Sequence, residues 1–143
     1  MGILYNRWKE VPVESWRWKN FSPGEPFLAC RHCGEFYLEE ASMDRLQLAR
    51  DEFGRPMSIN SGHRCPIYNA RIGGAPLSRH KLIAFDINIV GYDPLEMLEA
   101  LQRGGFTTFG FYDTFIHTDI RPNRRWFGNK NAKEKWTKLL TGT

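Results

Sequence analysis

The sequence predicts an α+β fold: a small, mostly antiparallel sheet with helices packed on it. Three observations carry that reading. From Glu39 to Phe53 apolar residues recur at helical spacing, with Met43, Leu46, Ala49 or Arg50, and Phe53 on one face. From Ile83 to Val90 the period changes to two, as Phe85, Ile87 and Ile89 alternate with Ala84, Asp86 and Asn88. Phe106–Phe111 and Phe115–Ile120 then read as paired strands joined through Tyr112-Asp113-Thr114, a hairpin. Strands and helices mixed in this way, without a regular βαβ alternation, give a sheet with helices set against it.

The remaining elements follow in chain order. Residues 1–29, with Pro12, Pro23 and Pro26, read as an irregular wrapping segment with short extended pieces. Within it, Asn20-Phe21-Ser22-Pro23-Gly24-Glu25 is a turn or a capped helix start. The helix of residues 39–53 is stopped by Gly54. Pro56–Asn60 reads as a short strand running into the Ser61-Gly62 turn, and Pro66–Ile72 as a short helix closed by Gly73-Gly74. Asp93-Pro94 supplies the cap and first-turn proline of a helix reaching Arg103, with Leu95, Leu98 and Leu101 on one face. Gly104-Gly105 ends it, and a basic helix from Asn129 to Leu140 carries Trp136, Leu139 and Leu140. No internal repeat, linker or low-complexity run interrupts the chain, so residues 1–143 are expected to form a single domain.

At 143 residues and 16.7 kDa the chain is long enough for one sizeable core. Its 41% hydrophobic and 25% charged content is ordinary for a soluble globular protein. No apolar run approaches the roughly 20 residues of a membrane span. Residues 1–7 lack the apolar core and small-residue cleavage site of an export signal, so the expectation is cytoplasmic synthesis without a signal peptide. The chain is expected to be a monomer. The net charge of +4 concentrates late, in Arg121, Arg124, Arg125, Lys130, Lys133, Lys135 and Lys138. That excess would attract nucleic acid, a membrane surface or an anionic cell wall, or it forms a solvated face.

Two groups of residues carry chemistry. His80, Asp86 and His117 supply the two imidazoles and one carboxylate of a catalytic zinc site, which leaves a fourth position for water. Strand periodicity puts His117 on one face with Phe115 and Asp119, so Asp119 is a candidate general base, with Asp113 in the hairpin turn as competitor. The plainer readings are an edge histidine, an Asp86 paired with arginine, and an Asp119 paired with Arg121. The second group is Cys30-Arg31-His32-Cys33 together with Cys65. Three thiolates with His32 or His63 make a closed structural zinc site, against the alternative of half-buried free thiols.

The ordered elements Ser61-Gly62-His63-Arg64-Cys65-Pro66, Asn69, Gly73–His80, Ala84-Phe85-Asp86-Ile87 and Phe115-Ile116-His117-Thr118-Asp119 resemble the D-alanyl-D-alanine carboxypeptidase-like zinc metallopeptidases. That group includes vancomycin-resistance dipeptidases and phage L-alanyl-D-glutamate endolysins, and shares its fold with the Hedgehog signalling domain. The likeness covers residues 57 to 121, and Asn20-Phe21-Ser22 and Cys30–Gly34 also look like one branch of the group. It implies His80, Asp86 and His117 as ligands of one catalytic Zn²⁺, Arg64 as the residue that orients substrate, and Ser78 as support for the ligand loop at the substrate site. A second structural ion at Cys30, Cys33 and Cys65 remains an open addition.

Two departures from the group's pattern stand out. His80 and Asp86 are six positions apart where the group has seven, and the intervening glycine is missing. Thr114 stands three residues before His117, where well-known members carry a carboxylate. The base is then Asp119 or the shifted Asp113, with Asp119 preferred for its strand phase.

The resemblance implies hydrolysis of peptidoglycan stem peptides, by a carboxypeptidase or endopeptidase. The phage-type version of that reading has the enzyme made in the cytoplasm and let out to the wall by a holin. A non-catalytic, zinc-stabilised binding module of the same fold is the alternative. Nucleic-acid binding through residues 121–138 with Trp126 and Trp136 is the weakest reading.

Overall fold

The computed structural model describes residues 2–24 and 28–142; Glu25, the end of the expected early turn, and Pro26 of the wrapping segment lie outside them. Its centre is a five-stranded sheet. The strands are β3 (Ile59–Ser61), β4 (Phe85–Asn88), β5 (Thr108–Phe111), β6 (Phe115–Asp119) and β7 (Arg125–Phe127), in the order β3-β4-β6-β5-β7. Every pairing is antiparallel except β5 with β7, which is parallel. A separate antiparallel ribbon joins β1 (Ile3–Tyr5) to β2 (Phe36–Leu38). The fold is α+β and mostly antiparallel, as the periodicities imply.

The sheet's two faces do different work. Phe85, Ile87, Phe109, Phe111 and Ile116 point into the apolar core. Asp86 and His117, one residue out of phase with them, point the other way and face each other across the β4–β6 pairing.

Four helices complete the architecture: α1 (Glu40–Phe53), α2 (Pro66–Arg71), α3 (Pro94–Arg103) and α4 (Lys130–Thr141). Met43, Leu46, Ala49 and Phe53 of α1 are buried, and Gly54 closes the helix in the left-handed conformation at φ 71°. The Asp93 carboxylate accepts a hydrogen bond from Leu95 N (2.9 Å) to cap α3, whose buried face is Met97, Leu98, Ala100 and Leu101. Leu95, expected on that face, is instead 36% exposed because the phase of burial shifts to Met97. The Asn129 side chain caps α4 through Ala132 N (2.7 Å), and Trp136 is fully buried with its Nε1 donating to Tyr112 O (2.9 Å).

The wrapping segment contributes one of its expected short extended pieces to the β1–β2 ribbon. Two strands depart from the sequence reading: its partner, residues 36–38, and residues 125–127, an edge strand inside the basic stretch. Among the described residues, no helix is long and apolar enough to cross a membrane.

Candidate metal centre

His80 enters the site from a short 3-10 turn, Arg79–Lys81. Ser78 caps that turn by accepting from His80 N (3.2 Å), and the Arg79 guanidinium ties it to the buried Glu39 carboxylate (3.1 Å). The ring is aimed by its Nδ1, which lies 2.7 Å from Gly62 O. A carbonyl only accepts, so Nδ1 carries the proton and the Nε2 lone pair is free. That lone pair points at Asp86 Oδ1, 3.1 Å away.

His117 is arranged in the opposite sense. Its Nε2 lies 2.7 Å from Asp119 Oδ2, while its Nδ1 lies 3.1 Å from the same Asp86 Oδ1. Asp119 is itself gripped by Arg121, through Nε (2.9 Å), Nη2 (2.8 Å) and the backbone N (3.0 Å). The pairing with Asp119 puts the His117 proton on Nε2 and leaves Nδ1 facing Asp86.

Two imidazole lone pairs therefore converge on one carboxylate oxygen. All three residues are buried, and their donor atoms lie within 4.8 Å of one another. Negative and lone-pair density packed this tightly requires a positive charge at its centre, either a proton or a metal ion. The protonation energetics agree. Burial pushes the His117 imidazole down, but hydrogen bonds to Asp119 and Asp86 outweigh it and raise its pKa above the usual 6.5. Burial pushes Asp86 up, but hydrogen bonds from His117 and His80 hold it well below the usual carboxylate range. Two nitrogens and one carboxylate oxygen, two of them oriented by partners behind them, are a donor set that fits zinc with one side open.

That side opens into a cleft of about 860 Å³. Arg64 lines it and is held by Asn69 Oδ1 (3.0 Å), with its Nη2 4.0 Å from Asp86 Oδ2. Gly74 makes this possible: a Cβ there would sit 2.3 Å from Asn69 Oδ1. Arg121, Arg124 and Arg125 add positive charge to the cleft wall, and Ser78 also lines it. Trp126 packs its ring 5.0 Å from the His117 ring and donates from Nε1 to Tyr112 Oη (3.1 Å). It can lie there because its neighbour is Gly110, whose missing side chain would collide with the indole at 2.5 Å.

The family model described as Peptidase M15 matches residues 20–119. The chain belongs to the peptidase M15 family. These are D-alanyl-D-alanine carboxypeptidase-like zinc peptidases, and membership supports a zinc-dependent peptidase. A search of curated proteins returns no match.

The structure brings His80, Asp86 and His117 together with Arg64 and Ser78, despite the shortened loop between His80 and Asp86. It does not place either candidate base in the M15 cleft. Asp119 is on the expected face but fully buried behind His117, its oxygens taken up by Arg121 and the imidazole. Asp113 lies in a different hollow, accepting from Asn131 Nδ2 (3.0 Å). Strand phase puts Asp119 on the His117 face, where an imidazole and a guanidinium within reach engage its carboxylate. Trp126 and Tyr112 were not identified from the sequence as parts of this site. The Gly110–Trp126 adjacency depends on the unforeseen parallel pairing of β5 with β7.

Proposed function

We propose that the chain is a zinc-dependent peptidase acting on peptidoglycan stem peptides, as a D-Ala-D-Ala carboxypeptidase or an L-alanyl-D-glutamate-type endopeptidase. The observation that carries this reading is the convergence of His80, Asp86 and His117 at the floor of an open, arginine-lined cleft. His80, Asp86 and His117 would hold a zinc ion, which when bound would supply Lewis acidity for a scissile carbonyl and a water.

The chain's own residues supply the rest. Arg64, pinned by Asn69 and drawn toward Asp86, presents a planar fork of donors to a peptide carbonyl or carboxylate. Asp119 keeps the His117 proton on Nε2, so that Nδ1 stays available; Asp119 is a positioning residue in this reading. The positive wall of Arg121, Arg124 and Arg125 suits a peptide rich in carboxylates. For a phage-type enzyme the reading includes release from the cytoplasm to the wall by a holin.

Incubation of the zinc-loaded protein with purified muropeptides, followed by mass spectrometry, tests the proposal. Loss of a terminal D-alanine indicates a carboxypeptidase, and scission between L-alanine and D-glutamate indicates an endopeptidase; either should stop with chelator. The absence of any hydrolysis would favour the second reading, a zinc-stabilised binding module. One observation supports that alternative: Asp86 is the only carboxylate among the described residues lining the cleft.

A further inference from the structure

The geometry points to a second, structural zinc ion held by Cys30, His32, Cys33 and Cys65, remote from the cleft chemistry and independent of the peptidase reading. The donor atoms of these four residues lie within 4.8 Å of one another. They come from two separate pieces of chain.

The first piece is a tight turn. Gly34 N donates to Cys30 O and Cys30 N donates to Glu35 O, both at 2.8 Å, and Gly34 closes the turn at φ 81°. A turn of this kind folds Cys30 and Cys33 toward the same point. The second piece is the start of α2, where Cys65 is the N-cap and its sulfur accepts from Tyr68 N (3.3 Å). The His32 ring stacks on Tyr68 with 5.8 Å between centroids and 5° between planes. This presents Nδ1 to the cluster, 3.7 Å from Cys65 Sγ. Zinc bonds of about 2.3 Å to sulfur and 2.0–2.1 Å to nitrogen at tetrahedral angles require an S···N edge of roughly 3.6 Å. In the metal-bound form His32 Nε2 carries the proton, and the exposed Arg71 guanidinium now 3.2 Å from it turns away.

Competing explanations account for less. All three cysteines are free, so no disulfide explains the cluster. A redox pair needs only Cys30 and Cys33 and makes no use of the Cys65 and His32 donors beside them. His63, the other candidate nitrogen ligand, is occupied: Nε2 pairs with Glu35 (2.7 Å) and Nδ1 with Leu82 O (2.5 Å). Three sulfurs and one nitrogen complete a tetrahedron with no open position, the arrangement of a structural rather than a catalytic ion. None of the four residues lines the catalytic cleft.

The ion would fasten the 28–35 turn to the start of α2. That start is the residue after Arg64, and the same turn already contacts the strand exit through His63 N to Leu28 O (2.8 Å). The second zinc would therefore hold the segment that delivers Arg64 to the cleft.

Metal analysis of the full chain, purified without chelator, should find one equivalent of zinc for each of the two donor clusters. Reconstitution with Co²⁺ gives a readout free of activity. A thiolate-to-cobalt charge-transfer band is expected in the wild type and in His117→Ala, and its loss in Cys33→Ser. Cys33 is chosen because its side chain is exposed, so the substitution disturbs little packing. If that variant does not fold, alkylation of the wild type decides: zinc should protect the thiols and chelator should expose them. A folded wild type with no charge-transfer band, or thiols alkylated equally fast with and without zinc, would overturn the inference. Neither result would touch the imidazole site, which His117→Ala reports separately.

Discussion

The two donor clusters of this chain are built on different principles. His80, Asp86 and His117 are held by regular structure: two of them stand opposite each other on β4 and β6, and the third is aimed by a carbonyl. Cys30, His32, Cys33 and Cys65 sit on a turn and a helix start, and are exposed at two of four positions. The sheet-mounted cluster keeps an open side above a cleft, whereas the three sulfurs and one nitrogen of the turn-mounted cluster are enough to complete a tetrahedron. A rigid scaffold can hold an incomplete coordination sphere in place without its ion; turns gain their order from completing one. The comparison predicts that metal loss silences one site and loosens the other.

The sharpest break is Asp86→Ala. Removing the carboxylate both lone pairs face should abolish peptide hydrolysis and cleft zinc together, while the cobalt–thiolate band persists. Metal content and hydrolysis measured on the same sample check this; retained activity would sink the assignment.

Asp119→Asn should be milder and more informative. Loss of a ligand's orienting partner typically costs about 10–100-fold in metal affinity. Zinc titration should show that deficit, and excess zinc should restore turnover. If turnover stays low at saturating zinc, Asp119 takes part in proton transfer directly and its positioning role is wrong.

Gly110→Ala tests whether the site depends on its aromatic wall. The added methyl meets the Trp126 indole, and overpacking of this sort costs about 1–3 kcal/mol. Chemical denaturation should register that loss, with weaker zinc binding as Trp126 is pushed off His117. The thiol cluster should be unaffected.

The smallest effect is in pH dependence. Without metal, a proton on His117 supplies the positive charge between Asp86 and Asp119, and its folded pKa lies above 6.5. That contribution to stability is complete below the unfolded value near 6.5 and fades as pH rises through the raised folded value. Zinc binding runs the other way, because its ligands must be deprotonated. Thermal unfolding of chelated and zinc-loaded protein from pH 6 upward should diverge; parallel curves would contradict the arrangement.

Much of this was legible in the chain because the signals were local or periodic. The alternation around Asp86 and His117 placed both on the face opposite Phe85, Ile87 and Ile116, where the structure has them. The capping residue Asp93 and the stop at Gly54 marked helix ends through chemistry that acts within one turn. What escaped was non-local. Arg125-Trp126-Phe127 is too short and too charged to announce a strand, and only parallel pairing with β5 makes it one. The orientation of Asp119 depended on which partner lay nearest in space, which periodicity does not encode. Likewise the choice between His32 and His63 turned on Glu35 and Leu82, neither adjacent to His63 in sequence.

The buried indole of Trp136 gives the C-terminal helix an influence beyond its position in the chain. Its Nε1 secures the main chain of Tyr112, whose hydroxyl receives Trp126, whose ring flanks His117. Clipping the last dozen residues, which looks harmless on a linear map, would slacken this relay of rings. The damage would surface at an imidazole with which the helix makes no hydrogen bond.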